Sequence, residues 1–234
     1  DYRHNFTGKR GDSRTTLDGI ECSLYANIEL SSEFADVSQM GVKGVGLYRT
    51  EFLLDVLGHL LDENQHYQNY VKALGHLSGK ELTIRTIDIG GQQNFLPSEK
   101  GVQRATNPAL GLRGIRVGLR DTELLIPQLQ AIVKASAYGS IRLMLPMVSA
   151  VDEVRQVKEI LVAIQDELTK NGINFDPMMP VGAMIEVPAA AVCADLFAKE
   201  LDFLAIGSND LTQYAVAVDR DNDEVEYLQD PLHP

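Results

Sequence analysis

Cysteine is scarce: Cys22 and Cys193 are the two thiols in 234 residues, and no CxxC or Cys/His ligand spacing surrounds either one. That excludes a disulfide scaffold and a zinc site, and both thiols are expected as small buried residues of a protein kept in a reducing cytoplasm. Basic residues are outnumbered, 21 Lys and Arg against 33 Asp and Glu, for a formal net charge of −12. Such a surface repels phosphate backbones and anionic membranes, so nucleic acid is not an expected partner. A small anionic substrate is compatible with it only if arginines gather locally against that field. No signal peptide leads the chain, and its apolar runs stop well short of the roughly 20 residues a membrane span needs, so no membrane insertion is expected. No GxGxxG follows the first strand and no literal repeat is visible.

What is present is a globular composition, 44% hydrophobic and 23% charged, with enough apolar material for a sizeable core. The length exceeds the usual domain but suits an α/β barrel, which commonly takes about 250 residues. Residues 1–16 mix Arg3, Lys9, Arg10 and Arg14 with Gly, Ser, Thr and Asp and show no apolar periodicity, so they read as a linker or arm. Residues 17–234 read as one domain. Six apolar or β-branched runs alternate with amphipathic stretches long enough for crossover helices: Ile20–Ile28, Val45–Tyr48, Leu82–Ile87, Ile141–Met147, Val181–Glu186 and Phe203–Ile206. Parallel strands follow. A capping box at Ser149–Asp152 opens a helix, Pro188 suits the first turn of a helix through Ala189–Lys199, and Pro127 is expected to divide Thr122–Ala137 in two.

Several of these strands end in charged or polar residues, as a barrel mouth requires, whereas an open doubly wound sheet concentrates its site at one switch point. Arg49 follows the second strand and Arg85 ends the third; two guanidinium forks at such positions can hold one phosphate, or can form two separate structural salt bridges. Glu186 ends an otherwise apolar run and needs a partner. With Asp210, at the corresponding place after the next strand, it could bind Mg2+ through open coordination positions; a Glu–Arg ion pair competes with that reading. Arg113, Arg116 and Arg220 could reach the same mouth or remain surface charges.

The segments GVGLYRTEF (44–52), RTIDIGG (85–91), NPALGLRGIR (107–116), LMLPMVSAVDEV (143–154), IEVPAAA (185–191) and IGSNDLTQYAVAVDR (206–220) together resemble enzyme I. That family is the phosphoenolpyruvate-protein phosphotransferase of the bacterial sugar phosphotransferase system, with its nitrogen-regulatory relatives. The resemblance runs from about Thr15 onward and covers the family's C-terminal phosphoenolpyruvate-binding (β/α)8 TIM-type barrel. About six of the eight strand units are present. It implies that Arg49 and Arg85 hold the substrate phosphate, that Asn209, the Asp210 backbone and Arg220 complete the phosphoenolpyruvate contacts, and that Glu186 and Asp210 ligate Mg2+. Arg113 matches a family arginine near the same mouth. The resemblance also implies phosphoryl transfer to a histidine, a phosphocarrier protein as partner, a cytoplasmic setting and a homodimer.

Three features depart from the family pattern. The sequence ends at Pro234, after the sixth strand, so the family's proton-donating cysteine is expected beyond it, while the resemblance places the phosphoacceptor histidine on a separate N-terminal domain; no catalytic residue is expected in this segment, and it is expected to be inactive alone. Gln92-Gln93 stands where the family has Asp-Lys after the Gly-Gly pair, removing a cation. His4, His59, His66, His76 and His233 fit no phosphoacceptor motif and read as structural or surface residues. Other readings are a non-catalytic phosphoenolpyruvate-sensing or partner-binding module, and a barrel of the pyruvate phosphate dikinase or phosphoenolpyruvate synthase type.

Overall fold

Strands of four to six residues that are each followed by a helix can pair only in parallel, because the helix carries the chain back to the starting end of the sheet. The computed structural model describes residues 15–37, 40–53, 60–90, 107, 109–220 and 222–232. Among these, six strands pair in sequence order, every pair parallel: β1 (Tyr25–Ile28), β2 (Gly44–Arg49), β3 (Glu81–Arg85), β4 (Ile141–Leu145), β5 (Val181–Ile185) and β6 (Phe203–Ile206). The order never reverses, so there is no switch point. The result is an α/β half-barrel, a curled sheet with helices, of the TIM type.

The helices are α1 (Phe34–Val37), α2 (Glu63–Leu77), α3 (Ile115–Arg120), α4 (Thr122–Ala135), α5 (Val151–Lys170), α6 (Pro188–Val192), α7 (Ala194–Phe197) and α8 (Ser208–Val216). On α5 the apolar spacing puts Val154, Val157, Leu161, Ile164 and Leu168 on one buried face. Each such side chain gains about 2 kcal/mol from leaving water. None of the helices among the described residues is long and apolar enough to cross a membrane.

Several local expectations are corrected. The first strand begins at Tyr25 rather than Ile20, because Gly19 at φ +89° and the Thr16 hydroxyl, which accepts from the Ile20 N–H, turn the preceding segment away. Cys22 lies in that segment and is exposed, and Cys193 is only half-buried. α4 runs unbroken through Pro127: the carbonyl that loses a partner belongs to exposed Glu123 in the first turn, while Leu125, Leu129 and Ile132 pin the rest. The carboxylate that caps α5 is Glu153 rather than Asp152, accepting from the N–H groups of Ser149 (2.6 Å) and Ala150 (2.9 Å). Pro188 opens its helix as expected, but the helix breaks at Cys193 into α6 and α7. Arm residues 1–14, Gln92-Gln93, His4, His59 and His233 lie outside the described residues.

His66 is buried, at 3% exposure, and its Nδ1 shares a hydrogen bond with the Tyr70 hydroxyl at 3.0 Å. Burial pushes its pKa down from 6.5 to about 4, against the pull of Asp62. The unfolded chain therefore takes up this proton first as pH falls. Stability from neutral His66 is complete above pH 6.5 and is lost as pH drops toward 4, by about 3 kcal/mol for a shift of this size. Urea unfolding at pH 4 and pH 7.5 should show this loss reduced in His66→Gln; an identical acid limb in the variant would contradict it.

Candidate functional site

Parallel pairing brings every strand's C-terminal end to one rim, and the register decides which side chains meet there. Arg49 and Arg85 are direct partners across β2 and β3. Their guanidiniums converge on one carboxylate oxygen: Glu51 Oε1 accepts from Arg49 Nε at 2.9 Å and from Arg85 Nη2 at 2.5 Å. The two arginines thus share one carboxylate between them. Arg49 also pairs with Glu29, and Arg85 with Asp88 at 3.2 Å. Burial of Arg85 works against its charge, but Asp88, Glu51 and Glu186 outweigh it and raise its pKa. Its Nε is buried with no partner among the described residues, leaving a donor available.

A second cluster joins the ends of distant segments. Arg113 donates to Asp88 (3.1 Å to each oxygen) and to Asp210 (2.7 and 3.2 Å), and its Nη1 also reaches the Tyr214 hydroxyl at 3.1 Å. Asp210 lies in the first turn of α8, not on a strand end. Gly114 makes the close approach possible, with φ +60° and no room for a Cβ, which would sit 2.8 Å from Met147 Cβ.

Glu186 follows β5, and the pairing of Ile185 with Ile206 sets it beside Gly207. Its Oε1 accepts from the Met147 N–H at 2.7 Å, and Met147 adopts φ 57°, a left-handed backbone that a methionine rarely takes and that costs energy to hold. Its Oε2 is buried without a partner, and no ion pair to Glu186 forms among the described residues. Burial first, then Asp88, pushes the Glu186 carboxyl up to about 7, against Met147 and Arg85.

A cleft of ≈ 720 Å3 opens over these groups, and it is lined by all six predicted site residues: Arg49, Arg85, Glu186, Asn209, Asp210 and Arg220. Arg220 stands 4.0 Å from Asp210, and Asn209 is exposed on the first turn of α8, where helix N–H groups favour an anion. Arg116 instead holds the Gly111 carbonyl on the surface. The sequence reading gave no role to Glu51 or Asp88, which hold the arginines in place; their one signal was proximity, two residues after Arg49 and three after Arg85. A second cleft of ≈ 710 Å3, lined by Asp62, Glu63, Tyr67, Lys134 and Tyr138 among others, has a single cation, itself paired with Glu63.

Four arginines and five carboxylates line a cleft of small-molecule size at the C-terminal rim of the sheet. The family model for the PEP-binding domain of PEP-utilising enzymes, PEP being phosphoenolpyruvate, matches residues 7–234. The chain belongs to this family. Similar relatives include the phosphoenolpyruvate-protein phosphotransferases of Cupriavidus necator (42% identical over 220 residues), of Staphylococcus aureus (39% over 225) and of Bacillus sp. strain S (41% over 227). The alignments cover 94%, 96% and 95% of this PEP-binding domain and 38%, 39% and 38% of those proteins. The domain thus spans well under half the length of the relatives it matches.

Proposed function

We propose that this chain is the phosphoenolpyruvate-binding barrel of a phosphoenolpyruvate-protein phosphotransferase of the enzyme I type. The observation that carries this reading is the convergence of register-paired Arg49 and Arg85 with Asn209 and Arg220 around one cleft, beside the unpartnered Glu186 oxygen. Arg49 and Arg85 grip the phosphate, trading their hold on Glu51 for its oxygens. Asn209, the Asp210 backbone and Arg220 hold the remainder of the substrate. The phosphorus–oxygen bond breaks with its electron pair left on the enolate oxygen, a histidine nitrogen on a separate domain takes the phosphoryl group, and the enolate gains a proton to give pyruvate.

The residues fit a divalent cation. A buried carboxylate oxygen with no donor needs positive charge nearby. Against the five carboxylates of the rim, four arginines leave one negative charge, and phosphoenolpyruvate adds about three more, two of them on the phosphate. Glu186 and Asp210 would hold Mg2+, which commonly binds one or two protein carboxylates together with substrate oxygens and water. When bound, Mg2+ neutralises charge on the phosphoryl group and the developing enolate. Arg113 now holds both Asp210 oxygens, and it must yield part of that grip for Asp210 to serve.

The same reading gives a phosphocarrier protein as downstream partner, a homodimer and a cytoplasmic setting. Calorimetry of the chain with phosphoenolpyruvate should show binding in MgCl2 that weakens by at least about tenfold in EDTA, a loss of 1.4 kcal/mol. No binding in either buffer would overturn the proposal.

A further inference from the structure

Behind Arg85, outside the cleft lining, a buried hydrogen-bond chain runs from α2 and α4 to the backbone at the end of β3. The Ile87 N–H donates to Gln128 Oε1 at 2.9 Å. Since an N–H can be met only by an acceptor, the Gln128 amide orientation is fixed, and Nε2 donates to Thr50 Oγ1 (2.9 Å) and to the Tyr70 hydroxyl (3.1 Å). The Thr50 hydroxyl in turn donates to the Arg85 carbonyl at 2.8 Å, and the Tyr70 hydroxyl shares a hydrogen bond with His66 Nδ1 at 3.0 Å. Thr50, Gln128 and Tyr70 are all essentially excluded from water.

β3 ends at Arg85, so the Ile87 N–H has left the strand ladder, and Gln128 supplies the acceptor that the ladder no longer gives. Between them, the Thr86 N–H reaches the Met144 carbonyl at 3.0 Å. The backbone is therefore held at three successive groups immediately after the residue that carries the guanidinium: the Arg85 carbonyl, the Thr86 N–H and the Ile87 N–H. Gln128 is a polar side chain on the apolar face of α4, between Leu125 and Leu129, where a hydrocarbon would pack without any need for partners.

We propose that Gln128, acting through Thr50 and the Ile87 amide, is a positioning residue that sets where the Arg85 guanidinium stands in the cleft. Its consequence for affinity rests on the reading of Arg85 as a phosphate ligand given above. The branch through Tyr70 to His66 touches neither residue 85 nor residue 87, and provides the internal control.

The test uses the full chain with Gln128→Met, Thr50→Val, Thr50→Ser and Tyr70→Phe. In ligand-free protein, Gln128→Met should speed hydrogen exchange at Ile87 and move the Arg85 Nε–H resonance. It should also weaken phosphoenolpyruvate binding by about tenfold, the size of one net hydrogen bond. Thr50→Val should act in the same direction, and Thr50→Ser, which keeps the hydroxyl, should stay within about twofold of wild type. Tyr70→Phe should lower the melting temperature yet leave the Arg85 resonance and the affinity unchanged. An unmoved Arg85 resonance in Gln128→Met overturns the proposal. So does a Tyr70→Phe protein that loses affinity as much as Gln128→Met does, since the chain would then be structural support alone. If the wild-type chain binds no phosphoenolpyruvate, the functional reading fails, while the Arg85 and Ile87 signals still decide the positioning claim.

Discussion

Arg85→Ala is expected to abolish measurable phosphoenolpyruvate binding and to destabilise the fold at the same time. The guanidinium is 6% exposed and lies between the Glu51 and Asp88 carboxylates, themselves 4% and 2% exposed. Removing it takes one cation from two buried anions that keep Arg49 and Arg113, so the loss should fall below about 3–5 kcal/mol, the cost of a fully broken buried pair. The binding loss has a separate origin, since a truncated charged contact weakens a complex by at least about 2 kcal/mol, or roughly 30-fold. Arg85→Lys separates the two effects. It keeps a positive charge between Glu51 and Asp88, so most of the stability should survive, but it lacks the planar fork that matches phosphate, so binding should still fall. Chemical denaturation alongside calorimetry on both variants makes the comparison; a lysine variant that binds as wild type does would remove Arg85 from the phosphate site.

Glu186→Gln is expected to have the opposite stability signature and an equally large functional one. The amide oxygen can still accept the Met147 N–H, while the charge that burial disfavours is gone. The fold should be as stable as wild type or more so. Phosphoenolpyruvate binding, however, should lose its dependence on Mg2+, so that titrations in MgCl2 and in EDTA give the same weak affinity. A variant whose binding still tightens with Mg2+ as wild type does would show that the cation is held elsewhere.

The fold was legible because its governing signal is local. Each apolar run of strand length is followed by a helical stretch, and that alternation alone sets parallel pairing, which in turn sends Arg49, Arg85 and Glu186 to one rim. Errors arose where a local rule met tertiary context. Pro127 falls where only one exposed carbonyl loses its partner, so the buried stripe of α4 carries the helix through it. Ile20 and Leu24 have strand-like character, yet they lie in an exposed turn segment ahead of β1.

The site was legible in its strand-end residues and illegible in their partners. Arg113 and Asp210 are 97 residues apart in sequence, and nothing in either segment shows that one neutralises the other. The positions of Glu51 and Asp88 were visible inside quoted motifs, but their function is relational: they become meaningful only once the β2–β3 register puts Arg49 beside Arg85. Gln128 gave no sign at all, because a single polar residue on a helix face reads as exposed until burial and the Ile87 contact are known.

The most direct test of the central claim is a titration of the isotope-labelled chain with phosphoenolpyruvate in MgCl2, followed by amide and arginine side-chain NMR resonances. The account predicts that the largest shifts fall on Arg49, Arg85, Asn209, Asp210 and Arg220, the groups that line one cleft at the strand ends. Shifts concentrated instead around Asp62, Tyr67 and Lys134, at the other cleft, or no shifts at saturating ligand, would contradict it.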